Sequence, residues 1–416
     1  MRKMLVIAAA ALFTFVLAGC DFYGTTTTTT TVSTETPETL SISTAAELLA
    51  VDVTKSYLLT ADIDLAGAEW EPIGTPDDPF AGTFDGDGHT ISNFQITHAN
   101  ANMNGLFGVV TGDLVDLNVT GFVIDITTSY LTYAGGLVAH TTGSLTGCTA
   151  SGSIDVTNNA ATAFVGLLAG YVAAFTTDTM TIDEFVAGVL TDCHASGSIV
   201  ASADHFLYVG GLVGKTYNVE VTDSSAQSTI SASCDTYRLY VGGLIGHNYG
   251  GILKPYADQV DDATIGIVRC YAEATMNLTA SGTKAAVGGL IGYSQDAVIE
   301  DCFAYVAIAV AGAVIDIGGL IGEDWYDTIA SVVAKVELVV AINTEQTIRF
   351  GGVAGFLHAE STVNDAYRLV YSSTASTNLA GTAVTITALA DMAWYQNELG
   401  WSAATFDLAS VIDILS

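Results

Sequence analysis

A four-residue phrase that recurs eight times is the feature that most constrains the fold of this chain. Its first copy is Gly105-Leu106-Phe107-Gly108, and its second position advances by 31, 30, 45, 32, 46, 30 and 33 residues from copy to copy. A near-constant period of this length is typical of stacked supersecondary units that cannot bury their apolar faces alone. The repeats therefore predict one elongated solenoid over about residues 105–355, rather than several globular domains. The later copies begin at Gly136, Gly166, Gly211, Gly243, Gly289, Gly319 and Gly352.

A second motif runs in phase with the first and identifies the repeating unit as β-structure. Its clearest copy places Leu145, Cys148, Ala150, Gly152 and Ile154 among mostly polar neighbours. Alternation with a period of two indicates a strand with one buried face. Strands that recur once per repeat in one direction must pair in parallel with their own copies. The predicted fold is therefore all-β, a right-handed parallel β-helix with short N- and C-terminal helical caps. In the first coil the motif aligns with Leu114, Leu117, Val119, Gly121 and Val123.

Equivalent positions in successive coils stack about 4.8 Å apart, so each column of the sequence predicts a column of side chains. One column holds alanine in six consecutive coils, which predicts a corner too tight for a larger residue. Another column holds four cysteines, for which we favour burial as thiols. Disulfides between consecutive coils are the alternative, because the separation of stacked positions is near the permitted range. The alanines are Ala150, Ala195, Ala226, Ala272, Ala304 and Ala334, and the cysteines are Cys148, Cys193, Cys270 and Cys302.

The N-terminus has the pattern of an export signal over residues 1–20. A basic start and an apolar stretch precede Leu17-Ala18-Gly19-Cys20, which resembles the lipobox of bacterial lipoproteins. This resemblance implies lipidation of Cys20, a membrane anchor, and the extracellular face of the cell membrane as the location. An ordinary secretory signal that happens to contain Cys20 is the alternative. Residues 21–40 include seven consecutive threonines and are predicted to be an extended linker.

The two ends of the solenoid need covering, and the sequence predicts a cap for each. Residues 41–104 form the predicted N-terminal cap and first coils, with a helix after the capping box of Thr44 and Glu47 and then a hairpin. The repeats occupy residues 105–375. Residues 376–416 form the predicted C-terminal cap, with a helix from about Thr387 that ends at Gly400.

These motifs together resemble the GLUG-motif β-helix proteins of bacterial surfaces. The likeness rests on the segment from Asp62 to Ile91, the tandem Gly-Gly-Leu-x-Gly turns, and the closing segment from Tyr395 to Trp401. The resemblance implies a surface lipoprotein with an adhesive or binding role, and it implies no defined catalytic residues. Related β-helical segments precede the catalytic domain of some secreted metalloproteases that cleave immunoglobulin. This chain lacks their His-Glu-x-x-His motif, so that activity is not implied.

The charge of the chain restricts its partners. It has 11 basic and 44 acidic residues and a net charge of −33, which disfavours nucleic acid. We expect a monomer whose partners are extracellular glycans or host and matrix proteins. The nine basic residues beyond the signal occupy different strand phases and indicate no constellation.

Aromatic residues just after each repeated turn are the predicted ligand-binding surface. Stacked coils would align them along one edge, where flat rings suit sugars and nearby acids suit hydroxyl groups or basic peptides. Packing beneath the two inserted loops, residues 173–187 and 249–264, is the alternative. The predicted binding residues are Tyr217, His247, Tyr249, Tyr293, Trp325 and Tyr326, with Tyr271, Phe303 and Tyr305 on the cysteine strand; the same turns also carry His140, Tyr171 and His358.

A polysaccharide lyase or glycoside hydrolase on the same scaffold is the alternative function. Such sites need convergent carboxylates, or carboxylate-bound calcium with a basic residue, whereas the acids here are scattered and predict no catalytic residue. Asp85 and Asp87 are the one candidate calcium site, and a tight turn is the other interpretation of that segment. We expect no other cofactor. Three acidic groups in one groove would favour the enzyme, and a continuous uncharged aromatic ridge would favour the binding protein.

Overall fold

The alternating segments form strands that pair with their copies in neighbouring coils. The computed structural model describes residues 39–98, 102–174, 188–250, 265–281, 284–312, 314–341, 347–372 and 382–383. Within them the paired strands form three sheets, and the pairings along each repeat are parallel. The predicted all-β parallel β-helix is therefore confirmed. No helix in the described ranges is both long and apolar enough to cross a bilayer.

The largest sheet, here called the wide sheet, has 20 strands. In most coils a short strand precedes a long strand, with the cysteine column between them, whereas Thr328–Ala341 continues through both positions as one strand. Its strands are Thr39–Ile42, Ser56–Leu59, Ile63–Glu69, Thr83–Asp85, Thr90–Ile96, Asp113–Val115, Asn118–Thr128, Leu145–Thr146, Thr149–Asn158, Gly188–Thr191, His194–Ala203, Val219–Thr222, Ser225–Cys234, Gly266–Val268, Tyr271–Ala280, Val298–Glu300, Phe303–Gly312, Thr328–Ala341, Thr362–Ser372 and Thr382–Ala383.

Two sheets of eight strands flank the Gly-Leu turn of each coil. The pre-turn sheet contains Met103–Asn104, Thr132–Gly135, Ala163–Gly166, Leu207–Gly210, Arg238–Gly242, Lys284–Gly288, Val314–Gly318 and Thr347–Gly351. The post-turn sheet contains Phe107–Val110, Val138–Thr141, Ala169–Ala173, Val213–Tyr217, Ile245–Tyr249, Ile291–Gln295, Ile321–Trp325 and Ala354–Leu357. The apolar interior lies between these two sheets and the wide sheet.

In four successive coils the alanine column faces the second glycine of the turn across a narrow interior. A Cβ atom on Gly289 would lie 2.9 Å from Ala304 Cβ and would overlap the carbonyl oxygen of Gly319. The corner predicted from the sequence is thus confirmed, and its tightness comes from the turn opposite. The same facing pair recurs as Gly211 with Ala226, Gly243 with Ala272, and Gly319 with Ala334.

The cysteine column consists of buried free thiols. Cys302 Sγ donates to the carbonyl oxygen of Glu300, two residues earlier, at 3.2 Å, and Cys148, Cys193 and Cys270 make the same contact at 3.3–3.4 Å. Ser224 occupies one rung and donates to Thr222 O at 2.7 Å. Cys234 lies outside this column and is a buried free thiol at the end of strand Ser225–Cys234.

Three details differ from the sequence-based expectation. Gly166 pairs with Gly135 and Gly210, so the third copy of the repeated phrase begins one residue later than the sequence alignment placed it. Gly121 adopts a positive φ of 65° and forms a bulge, so Gly152 pairs with Phe122 and Ile154 with Ile124. The alignment through Gly121 and Val123 was therefore wrong by one residue, because a bulge inserts one residue into a strand. The expected hairpin was also wrong, because strands Ser56–Leu59 and Thr83–Asp85 pair in parallel as coils.

The N-terminal cap contains its predicted helix, and the C-terminal cap lies largely outside the described residues. Helix Ala45–Leu48 begins at a complete capping box, in which Glu47 accepts from the Thr44 amide at 3.0 Å. The helix expected from about Thr387 falls outside the described ranges, as do the signal segment and nearly all of the linker.

A column of buried polar side chains lies on the inner face of the post-turn sheet. Thr216 donates to Asn248 Oδ1 at 2.8 Å, and Asn248 Nδ2 donates to Ser294 Oγ at 3.2 Å. The next rung is Asp324, which is fully buried, and Asp327 lies buried beside it. Burial raises the pKa of both carboxyls, and the charge of Asp324 raises the pKa of Asp327 further. We therefore expect the pair to keep a proton at neutral pH.

Candidate functional site

The outward positions beside the Gly-Leu turns form a double row of rings, which we call the aromatic ribbon. Its pre-turn row and its post-turn row contact each other, because the two sheets meet at the turn. For example, the ring centroids of Tyr208 and His247 are 5.3 Å apart, and those of Phe164 and Tyr171 are 5.6 Å apart. The pre-turn row is Tyr133, Phe164, Tyr208 and Tyr240, and the post-turn row is His140, Tyr171, His247 and Tyr293.

Rings of the pre-turn row stack face to face along the helix axis. Tyr208 lies 4.8 Å from Phe164 with planes 3° apart, and 5.3 Å from Tyr240 with planes 7° apart. Phe164 is held in the same way between Tyr133 and Tyr208. Each inner ring therefore has both faces covered. What remains exposed of such a ring is its edge.

Lys215 replaces a ring in the post-turn row, in register between Tyr171 and His247. Its Nζ lies 5.5–5.8 Å from the ring centroids of Phe164, Tyr171 and Tyr208, within cation–π range. Burial lowers the pKa of Lys215. The ammonium group is thus set among rings in the middle of the ribbon.

Basic residues gather at the C-terminal end of the ribbon. Arg238 donates to the Tyr240 hydroxyl at 3.0 Å and is paired in register with Lys284. Lys284 Nζ lies 3.1 Å from the buried Asp316 carboxylate and 2.7 Å from Glu323. Arg349 binds Asp316 with two nitrogens and lies over the Phe356 ring.

This clustering corrects the expectation that the basic residues form no constellation. Of the seven basic side chains that the structure describes, Lys215, Arg238, Lys284 and Arg349 belong to this one strip. Their sequence phases differ because Lys215 comes from the post-turn sheet and the others from the pre-turn sheet. The turn brings the two sets to one surface. Four cations meet two carboxylates here, so the strip is positive on a chain whose net charge is −33.

Burial sets the protonation of the ribbon. It lowers the pKa of His247 to about 3, with the neighbouring Lys215 charge as a smaller cause, and it also lowers the pKa of His140. Burial raises the pKa of Tyr171 and Tyr208 well above the usual range for tyrosine. At neutral pH the histidines are therefore uncharged and the tyrosine hydroxyls keep their protons, available for donation.

The predicted stripe of aromatic residues divides between the post-turn row of the ribbon and a second row that lies outside the ribbon. His247 and Tyr293 lie in the ribbon with centroids 4.5 Å apart, whereas Tyr217 and Tyr249 stack on each other at 5.2 Å two positions farther along their strands. Trp325 continues this second row. It stacks on His358 at 4.9 Å, and the His358 ring also contacts Tyr326, of which 41% is exposed.

The three aromatics predicted on the cysteine strand lie apart from the ribbon, on the wide sheet. Tyr271 and Phe303 stack at 4.9 Å, and Phe303 is fully buried. Tyr305 lies beneath Lys335 Nζ at 4.4 Å and lines a shallow hollow of about 300 Å³ with Gln227 and Glu273. A neighbouring hollow of about 450 Å³ is lined mainly by small residues such as Ser202 and Ala311.

The acidic turn proposed for calcium is a tight backbone turn. The Asp87 amide donates to Asp85 Oδ1 at 2.8 Å, and Asp87 and Gly88 both have positive φ. Within the described ranges, no three His, Cys, Asp or Glu side chains converge in a metal-binding arrangement. Calcium binding at Asp85 and Asp87 stays a prediction.

The pre-turn row of the ribbon was missed by sequence reasoning, although a signal was present. In three coils an aromatic residue stands three positions before the second glycine of the turn, as in Tyr133, Tyr208 and Tyr240. The pre-turn row is unbroken from Tyr133 to Tyr240, whereas Lys215 takes the place of a ring in the post-turn row, so the aromatic ridge is not uncharged. Cys20 and the acids of the two inserted loops lie outside the described residues.

Comparisons with known proteins identify a repeat motif in this chain. A family model described as the GLUG motif matches residues 130–157, which correspond to one coil. Halomucin from Haloquadratum walsbyi is 35% identical over 158 residues, which are 32% of this chain and 2% of that protein. A putative Gly-rich membrane protein from Evansella cellulosilytica is 40% identical over 70 residues, which are 16% of this chain and 8% of that protein. The chain thus contains a GLUG motif and spans a small part of these relatives.

A solved structure titled as a putative immunoglobulin A1 protease from Bacteroides ovatus also resembles this chain. It is 19% identical, with 85% of this chain and 86% of that chain covered, at a TM-score of 0.41.

Proposed function

We propose that this protein is a lipid-anchored, ligand-binding β-helix displayed on the extracellular face of the cell membrane. The lipobox resemblance at Cys20 and the threonine-rich linker support the anchor. One relative is described as a membrane protein, which supports a surface location. The GLUG motif and the β-helix fit a surface or binding protein.

The aromatic ribbon carries the proposal of binding. Its post-turn row runs from His140 to Tyr293 through five coils, which is about 19 Å at the spacing of parallel strands. The backbone repeats in every coil, yet these outward positions hold Tyr, Phe, His and Lys rather than one small polar residue. Half-buried rings with a polar tip are typical of binding surfaces. The ligand classes we propose are extracellular glycans and host or matrix proteins.

An array of glycans and matrix proteins, probed with the full chain, tests this proposal. Tyr208→Ala removes a ring from the middle of the ribbon, and we expect it to weaken binding of the captured ligand at least about tenfold. Tyr305→Ala is the comparison, because the half-buried Tyr305 is also a predicted binding residue but lies on the wide sheet, apart from the ribbon. Equal losses in the two variants, or none in either, would contradict the ribbon as the ligand surface.

Two further variants address the other predicted residues. If the ligand extends to the second row, Trp325→Ala and Tyr326→Ala will also weaken binding, and the size of each loss will place the end of the bound ligand. Substitution of Cys20 by alanine tests the anchor. We expect that variant to lose incorporation of labelled palmitate and to leave the membrane fraction, and retention with unchanged labelling would refute lipidation.

A further inference from the structure

The stacking of the ribbon decides which part of each ring meets a ligand. Tyr208 has Phe164 against one face and Tyr240 against the other, so its edge and hydroxyl face outward. The edge of an aromatic ring carries partial positive charge, whereas its face is negative. Inner positions of the ribbon therefore suit electron-rich groups better than the apolar face of a neutral sugar.

Two of the four cations in the same strip differ from Lys284 and Arg349, which are paired with carboxylates. Among the described residues, neither Lys215 nor Arg238 makes an ion pair with a carboxylate, although the chain has 44 acidic residues. Lys215 has ring faces as neighbours, and Arg238 donates to the Tyr240 hydroxyl. Tyr208 and Tyr240 stack on each other, so they connect the two cations along one line. This stretch contains the partly exposed edge of Tyr208 and two partly exposed cations that lie against rings or hydroxyls rather than carboxylates.

We propose that the ribbon binds an acidic polysaccharide, with carboxylate or sulfate groups held by Lys215 and Arg238. The inference rests on the proposed binding function and specifies its ligand class. A linear chain with a repeating charge matches a straight strip that repeats at each coil for about 19 Å. The chain as a whole has a net charge of −33 and repels a polyanion, so the positive strip is the favoured place for one to bind. Lys284 and Arg349, already paired with Asp316 and Glu323, bound the strip at its C-terminal end.

Polygalacturonate and its fully methyl-esterified form are the probes, because they share a backbone and differ in charge. We expect the full chain to bind the free acid and to bind the ester at least about tenfold more weakly, since charge-assisted hydrogen bonds are lost. Lys215→Gln combined with Arg238→Gln should weaken binding of the free acid by a similar factor. Lys335→Gln is the matched control, a lysine over a tyrosine on the wide sheet, and should change binding less than about twofold. Thermal melting confirms that each variant is folded.

The outcomes separate this inference from the proposed function. Equal binding of the acid and the ester, or no loss in the double variant, overturns the acidic ligand. If Tyr208→Ala still abolishes capture of a neutral glycan or of a protein, the proposed function stands and only the ligand class fails. If the double variant loses binding of an acidic protein, and the wild-type chain does not bind polygalacturonate, then an acidic polysaccharide is overturned as the ligand class. If no array ligand depends on Tyr208, the proposed function itself fails.

Discussion

The inner and outer sides of the Gly-Leu turn share one backbone, but they differ in how much their residues vary from coil to coil. On the inner side, glycine faces alanine in four successive coils, from Gly211 with Ala226 to Gly319 with Ala334. On the outer side, the pre-turn row changes from Phe164 through tyrosines and alanine to Asp316 and then arginine. Repetition marks positions where the fold allows one size of residue. Variation on an otherwise regular surface marks positions that the fold leaves free for binding.

The largest effect that this contrast predicts is on the inner side. We expect Gly289→Ala to lower the free energy of unfolding by about 3 kcal/mol or more, because its Cβ would overlap the backbone of the next coil. Chemical denaturation measures this. Gly266→Ala is the control, since its Cβ would meet only a methyl group of Val268 at 3.1 Å, and it should change stability by less than about 1 kcal/mol. Similar midpoints for both variants would refute the tight contact.

An intermediate, pH-dependent effect is expected at the buried pair Asp324 and Asp327. A carboxyl whose pKa is raised on folding stabilises the protein at low pH, and that stability is lost as pH rises above the ordinary value of 3.8. Asp327→Asn replaces one of the two ionisable groups by a neutral amide, while its side-chain oxygen still accepts the Ala297 amide. The variant should match the wild type at pH 4 and exceed it by on the order of 1–2 kcal/mol at pH 8. Denaturation at both pH values measures the difference.

The exposed Asp204 provides the control for that substitution. Asp204→Asn makes the same substitution at the surface, so it should not reproduce the gain in stability at pH 8. If the wild type and Asp327→Asn are equally stable at pH 8, then the buried pair of carboxyls does not destabilise the folded state at that pH, and the prediction is wrong.

The smallest effect is expected in the cysteine column. Cys302→Ser should cost less than about 1 kcal/mol, because Ser224 already fills the same rung and donates to the equivalent carbonyl. Cys302→Leu, by contrast, would add volume to a filled corner and should cost about 1–3 kcal/mol. Thermal denaturation of both variants ranks them. A serine variant as damaged as the leucine variant would show that the rung does not accept a hydroxyl.

Most of the fold was predictable because parallel coils force equal spacing on equivalent residues. The alanine and cysteine columns could be aligned by eye, and both are confirmed. The bulge at Gly121 was not predicted, because a single inserted residue leaves the composition of the strand unchanged. The post-turn half of the ribbon was predicted through His247 and Tyr293. The cluster of cations was not predicted, because Lys215 and Arg238 belong to different sheets. Only the turn between those sheets brings the two side chains to one surface.

Each coil rests on the coil before it and the coil after it, with pairings such as Tyr208 to Tyr240 repeated across every boundary. The number of coils is therefore free to vary in evolution. Duplication of a whole coil would lengthen the binding strip by one rung and leave the rest of the molecule in place. The length of polymeric ligand that the strip can contact then depends on the number of coils, which can change without any new fold.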